Sequence, residues 1–201
     1  GAAMQITNPL SEDQSLMRTT LIPSLLHAAA HNRAHQLEDI ALFELGKVFQ
    51  KEETPTEKRA LGIVLAGRLI PTSWRWQESP ADFYTLKGIV ENCLSALQIS
   101  GWQVARPKEL AQEAELMGLA KALHPGRSAA ILVDTKVVGI FGELAPQVAE
   151  NWELTRGTLV AELDLEALWS LRSQKGTRYQ PLPRFPFSSR DLALLVPETI
   201  P

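Results

Sequence analysis

The sequence predicts an α+β fold in which an antiparallel sheet is flanked by helices. Three observations carry this expectation. Short apolar runs of strand length, such as residues 60–66 (ALGIVLA), are interspersed with stretches whose apolar residues recur every three or four positions. Two of the runs, 129–133 and 137–141, are joined by Asp134-Thr135-Lys136, a connection of hairpin length. Strands and helices also fail to alternate one for one, as a doubly wound parallel sheet requires.

Taken in order, residues 4–7 form a short strand closed by Asn8-Pro9. Thr19 or Thr20 caps a helix that tolerates Pro23 in its first turn, because the first amides of a helix lack intrahelical acceptors. Ile22, Leu25, Leu26 and Ala29 fall on one face of that helix, which is expected to run to about Gln36. Residues 40–50 read as a strand, 51–58 as a charged loop around Pro55, and 60–66 as a buried strand. Residues 69–80, with Trp74 and Trp76 among prolines and polar residues, read as an excursion whose aromatics pack back against a sheet. Asp82 caps a second helix over 83–97, with Leu86, Ile89, Val90, Cys93, Leu94 and Leu97 as its buried stripe. A strand over 102–105 precedes the hairpin, Pro146 opens a short helix, and 159–163 is a strand followed by a helix from Asp164 to Leu171.

From Ser173 the character changes. Lys175, Arg178, Arg184 and Arg190 come with Pro181, Pro183 and Pro186, and no acidic residue intervenes before Asp191. This is a basic, proline-stiffened linker over 173–189. It leads into a strand pattern at 190–196 that belongs to a new, truncated unit over 190–201. Gly1-Ala2-Ala3 ahead of Met4 reads as a cloning scar, so the first domain is placed at 4–172.

The bulk numbers exclude little but are consistent. Of the 201 residues, 45% are hydrophobic and 21% charged, as in an ordinary globular protein and unlike a disordered one. A net charge of −3 offers no global argument for a nucleic-acid or membrane partner. No apolar run approaches the ~20 residues of a membrane span. The single cysteine, Cys93, precludes an internal disulfide, suits a reducing cytoplasm, and sits in a helix pattern that makes it a buried, inert thiol.

Catalytic constellations are absent. His27, His31 and His35 are spaced by four on the first helix. Two such histidines can share a metal, but a third lies about 12 Å away at 1.5 Å per residue. No cysteine or acidic cluster nearby completes a site, and the triplet reads as a polar helix face. His124, before Pro125-Gly126-Arg127, falls in a turn, and no Gly-rich phosphate loop separates a strand from a helix. A phosphate backbone would meet Arg178, Arg184 and Arg190 in the basic linker; the bland alternative is a solvated connector. No catalytic, cofactor-binding or metal-binding residue is assigned.

Five blocks, in order, resemble one family. Residues 8–26, NPLSEDQSLMRTTLIPSLL, are similar to the opening of the catalytic-like domain of bacterial phenylalanine–tRNA ligase β subunits. Phe43-Glu44-Leu45-Gly46-Lys47-Val48-Phe49 resembles the strand that follows, and Asp82-Phe83-Tyr84-Thr85-Leu86-Lys87-Gly88 the start of the second helix. His124-Pro125-Gly126-Arg127, with Gly139-Ile140-Phe141-Gly142-Glu143-Leu144 and Pro146, resembles the late hairpin. Arg184-Phe185-Pro186 and Ser189-Arg190-Asp191-Leu192-Ala193 resemble the entry to a ferredoxin-like anticodon-binding domain.

The resemblance implies a class II aminoacyl-tRNA synthetase-like antiparallel sheet flanked by helices, followed by the truncated start of the ferredoxin-like domain. Active members of that class grip ATP with one arginine on a strand of the second signature motif and another after a Gly-rich strand near the end. The planar guanidinium suits phosphate because it binds two oxygens at once. Here the strand at 40–49 offers only Lys47, and Gly157-Thr158-Leu159-Val160-Ala161-Glu162-Leu163-Asp164 has one glycine and two carboxylates, with Arg172 beyond the next helix. The implied role is therefore a pseudo-catalytic domain without cofactor, in a cytoplasmic heterotetramer of two α and two β subunits. There the α subunit uses ATP and magnesium to charge tRNA(Phe), and the first class II motif falls before Met4. Two alternatives stand beside this: a tRNA-contacting module, and a free-standing ligase with a degenerate class II site.

Overall fold

A computed structural model describes residues 3–9, 15–51, 54–70, 73–75, 77–107, 118–172, 185, 188–193 and 195. Among them the elements run α1 (Ile22–Ala34), β1 (Ile40–Gln50), β2 (Thr56–Ala66), β3 (Arg68–Ile70), β4 (Ser79–Pro80), α2 (Phe83–Ala96), β5 (Trp102–Ala105), β6 (Leu123–Val133), β7 (Lys136–Leu144), α3 (Pro146–Asn151), β8 (Leu159–Asp164) and α4 (Leu165–Leu171). Six strands form one sheet in the order β1-β2-β8-β7-β6-β5, and every neighbouring pair is antiparallel.

Side chains alternate across the sheet, and each face has its own core. On one face α1 buries Ile22, Leu25, Leu26 and Ala29 against Ile40, Val64, Ile140 and Val160, with α3 alongside through Ala149. Each fully buried side chain of the Leu or Ile kind contributes about 1.5–3 kcal/mol. On the other face α2 supplies Leu86, Val90 and Leu94, and α4 supplies Ala167 and Leu168, against Ile63, Phe141, Leu159 and Leu163. Ile89, Cys93 and Leu97, expected in the α2 stripe, pack half-buried at its margin. Burial raises the Cys93 thiol above its ordinary pKa, so it stays protonated and unreactive at neutral pH.

The helix ends follow local chemistry where a cap is present. The Asp82 carboxylate accepts from Thr85 N at 2.7 Å, and the Asp164 carboxylate accepts from Ala167 N at 2.9 Å, as expected of N-caps. The first helix differs: its N-cap is Leu21, which offers no side-chain acceptor, and it ends at Ala34, before Gln36 takes a positive φ of 65°.

Four further expectations are revised. The strand β2 begins at Thr56, inside the stretch read as loop, because pairing with β1 carries its charged residues while their side chains face solvent. The strand β6 begins at Leu123, so His124 lies within a strand, at an irregularity between Leu123 and Ser128, rather than in a turn. Met4 to Thr7 supply only a single bridge, Gln5 to Leu16. Trp74 is 96% exposed in the connection between β3 and β4 and does not pack on the sheet; Trp76 lies outside the described residues.

Candidate functional site

The two strands on which the resemblance places phosphate anchors, β1 and β8, both pair with β2 and so flank it. In register, Glu44 stands opposite Gly62, and Gly62 opposite Glu162. Residues directly opposite share a face, so this row carries a carboxylate on each side of a glycine, on the α1 side of the sheet.

The segment leading into α1 crosses this row. Arg18 Nη1 donates to Glu44 Oε1 at 2.6 Å, and its Nε donates to the Lys47 carbonyl at 2.8 Å. Thr20 Oγ1 donates to Glu162 Oε2 at 2.6 Å, and Leu21 N donates to the same oxygen at 2.7 Å. Leu21 is fully buried over the glycines. A methyl group on Gly62 would stand 2.7 Å from Leu25 Cδ1 and 3.0 Å from Leu21 Cβ. The missing side chain is thus what allows the helix entry to lie flat on the strand.

Thr20 Oγ1 accepts from Ile22 N at 3.3 Å, at the first amide of α1, and Glu162 adds a second acceptor that sequence reasoning did not assign. It satisfies the amide at the start of α1 from across the sheet, and a carboxylate at the positive end of a helix is electrostatically favoured. Burial raises its pKa above the ordinary glutamate value, against the lowering exerted by the bonds from Thr20, Leu21 and Ile22 and by the Arg18 charge. Pro23, in the first turn, has no amide to satisfy.

Cations elsewhere on these strands and on α4 have partners. Lys47 contacts Glu57 at 2.6 Å, and Arg59 donates through Nε to Glu166 Oε1 at 2.7 Å, at the start of α4. Arg172, at the far end of α4, lies over the Trp169 ring at 3.5 Å from its centroid. On the late hairpin, Arg127 grips Glu143 through Nε and Nη2, and His124 Nδ1 accepts from Gly126 N at 3.1 Å. Of the arginines assigned to possible RNA contact, Arg190 is exposed, while Arg178 and Arg184 lie outside the described residues. The strand expected at 190–196 is not formed at Arg190 to Ala193 or at Leu195, which are exposed and pair with no neighbour among the described residues; a strand needs one to satisfy its backbone. Most of the expected 173–189 linker is outside the described residues. Among the described residues no group of three or more His, Cys, Asp or Glu is placed to hold a metal ion, and no helix is long and apolar enough to cross a membrane.

Sequence reasoning noticed Glu162 only as a charge hostile to phosphate. Its structural role was signalled by one feature, a lone acid inside the otherwise apolar run Leu159-Val160-Ala161-Glu162-Leu163, since a carboxylate is almost never buried without partners.

Residues 1–165 match the family of phenylalanyl tRNA synthetase beta chain CLM domains. The chain belongs to that family. Its curated relatives include the phenylalanine–tRNA ligase beta subunit of Symbiobacterium thermophilum, 38% identical over 196 residues, which are 96% of this chain and 21% of that relative. The corresponding subunit of Moorella thermoacetica is 40% identical over 202 residues, 98% of this chain and 23% of the relative. The chain thus spans about a fifth to a quarter of the length of the beta subunits it matches. Among solved structures, a pyrrolysyl tRNA synthetase of Desulfitobacterium hafniense superposes with a TM-score of 0.54 at 17% identity, covering 80% of this chain and 51% of that one. At that identity the likeness shows the fold: the antiparallel sheet of the CLM domain is also the sheet of a tRNA synthetase.

Proposed function

We propose that the chain is a non-catalytic structural domain of a phenylalanine–tRNA ligase β subunit. In this reading it packs against and supports the α subunit, which charges tRNA(Phe) with phenylalanine using ATP in the cytoplasm. The observation that carries this reading is the filled row Glu44–Gly62–Glu162. On the two strands where the resemblance places phosphate anchors, this chain presents two carboxylates, Glu44 held by its own Arg18 and Glu162 by its own Thr20 and Leu21. A triphosphate brought to this row would meet like charge and displace a fully buried leucine. The residues present do not fit ATP.

The opposite face supports the packing role. Phe43 and Leu45 stand opposite Ile63 and Leu61, on the side that α2 and α4 cover, yet they are 71% and 65% exposed. Six strands at about 4.8 Å make a sheet some 25 Å wide, and helices pack at about 10 Å. Among the described residues the two helices on this face leave the β1 margin bare, as a surface awaiting a partner would be.

Calorimetry with ATP and magnesium tests the non-catalytic reading. The expected result is no heat of binding. Low-micromolar affinity would defeat it and favour a ligase with a degenerate class II site.

A further inference from the structure

The C-terminal turn of α1 carries a pair of imidazoles that neither the sheet nor the filled row uses. His31 and His35 are both exposed, four residues apart, with ring centroids separated by 4.5 Å. His35 Nδ1 lies 2.8 Å from the His31 carbonyl oxygen. A carbonyl can only accept, so in the neutral ring Nδ1 carries the proton and Nε2 keeps its lone pair. That is the arrangement found in metal-ligating histidines, whose second nitrogen donates to a carbonyl or carboxylate and so fixes tautomer and ring orientation. The position is also favourable, because the carbonyl end of a helix carries partial negative charge and attracts cations. The nearby Arg33 is turned away to the Glu153 carbonyl and leaves the pair uncovered.

We propose that His31 and His35 form a two-nitrogen site for a borderline divalent transition-metal ion such as Ni2+, Cu2+ or Zn2+, with water filling the remaining positions. Imidazole selects these ions over Mg2+ and Ca2+, which demand oxygen ligands. His27 is excluded from pairing with His35 by the roughly 12 Å rise of eight helical residues. No third protein ligand is at hand among the described residues, so the site is open to solvent.

The test is titration calorimetry of NiCl2 into the chain at neutral pH, for the wild type and for His27→Asn, His31→Asn and His35→Asn. One ion per chain is expected. Removing a partner that merely orients a ligand costs roughly 10- to 100-fold in metal affinity, so losing His31 or His35 is expected to cost at least about tenfold, with His27→Asn within about twofold of wild type. Electron paramagnetic resonance with Cu2+ gives a readout independent of stability: hyperfine splitting from two nitrogens in the wild type and from one in either variant of the pair. Wild-type binding weaker than about 1 mM, unchanged affinity in both variants of the pair, or an equal loss in His27→Asn would each overturn the proposal.

Discussion

Removing the Glu162 carboxylate separates a structural from an incidental role for this buried acid. In Glu162→Ala the Leu21 amide loses its acceptor in a fully buried position, and the Thr20 hydroxyl loses its acceptor in a half-exposed one. An orphaned buried donor costs about 1–3 kcal/mol, with the half-exposed hydroxyl at the low end, and the truncated side chain leaves a cavity. Relief from burying a charge offsets part of this, and a net loss of about 3 kcal/mol is expected. Glu162→Gln keeps an oxygen for Leu21 N, while the Thr20 hydroxyl can rotate to accept from the new amide, so its loss is expected at about 1 kcal/mol or less. Urea denaturation reads both: at a slope of about 2 kcal/mol/M, the alanine variant shifts the midpoint by about 1.5 M with little change in slope.

The pH dependence supplies a second reading. Burial raises the Glu162 pKa in the folded chain above its unfolded value. Below the ordinary glutamate range both states are protonated and the full stability is present. As pH rises through the raised value, the folded state must ionise a buried acid, and stability falls until the loss is complete. Wild type is therefore expected to gain on Glu162→Gln as the solution is acidified from neutral toward the ordinary glutamate range. An alanine variant within about 0.5 kcal/mol of wild type, or a wild-type advantage over Gln that grows as pH rises, would refute the reasoning.

Two further outcomes are expected. Gly62→Ala drives a methyl group against Leu21 and Leu25 and is expected to cost about 1–3 kcal/mol in chemical denaturation, as overpacking does; a neutral result would mean that the α1 entry is loosely seated. The double change Phe43→Ser and Leu45→Ser alters exposed side chains only, so the stability of the chain is expected to move by less than about 0.5 kcal/mol per site. In the full β subunit the same change is expected to reduce recovery with the α subunit on a sizing column, and undiminished recovery would show that this margin is not the contact.

Much of the architecture was legible because it is local. The period of the apolar residues placed β1 and β5 at the bounds the structure has, and the acid-before-helix pattern at Asp82 and Asp164 placed two caps correctly. A helix or strand buries one stripe, and that stripe is written in nearby residues. The additional strand length in β2 and β6 was not legible, because backbone pairing across a hairpin tolerates polar side chains on its solvent side. Nor was the exposure of Trp74, in the connection between β3 and β4.

By itself the sequence determined the kind of chain this is: five ordered blocks resembling one family, an antiparallel sheet with helices, and no arginine on the strand where a nucleotide's phosphate would be held. Only the tertiary structure decided what stands on those strands. The partners of Glu162, Thr20 and Leu21, are 142 and 141 positions away, and the glycine that lets Leu21 lie on the strand is on yet another element. Side-chain partners so distant are chosen by strand order and register, which bring β1, β2 and β8 side by side. No local pattern encodes that adjacency, and the function of a buried charge rests on it.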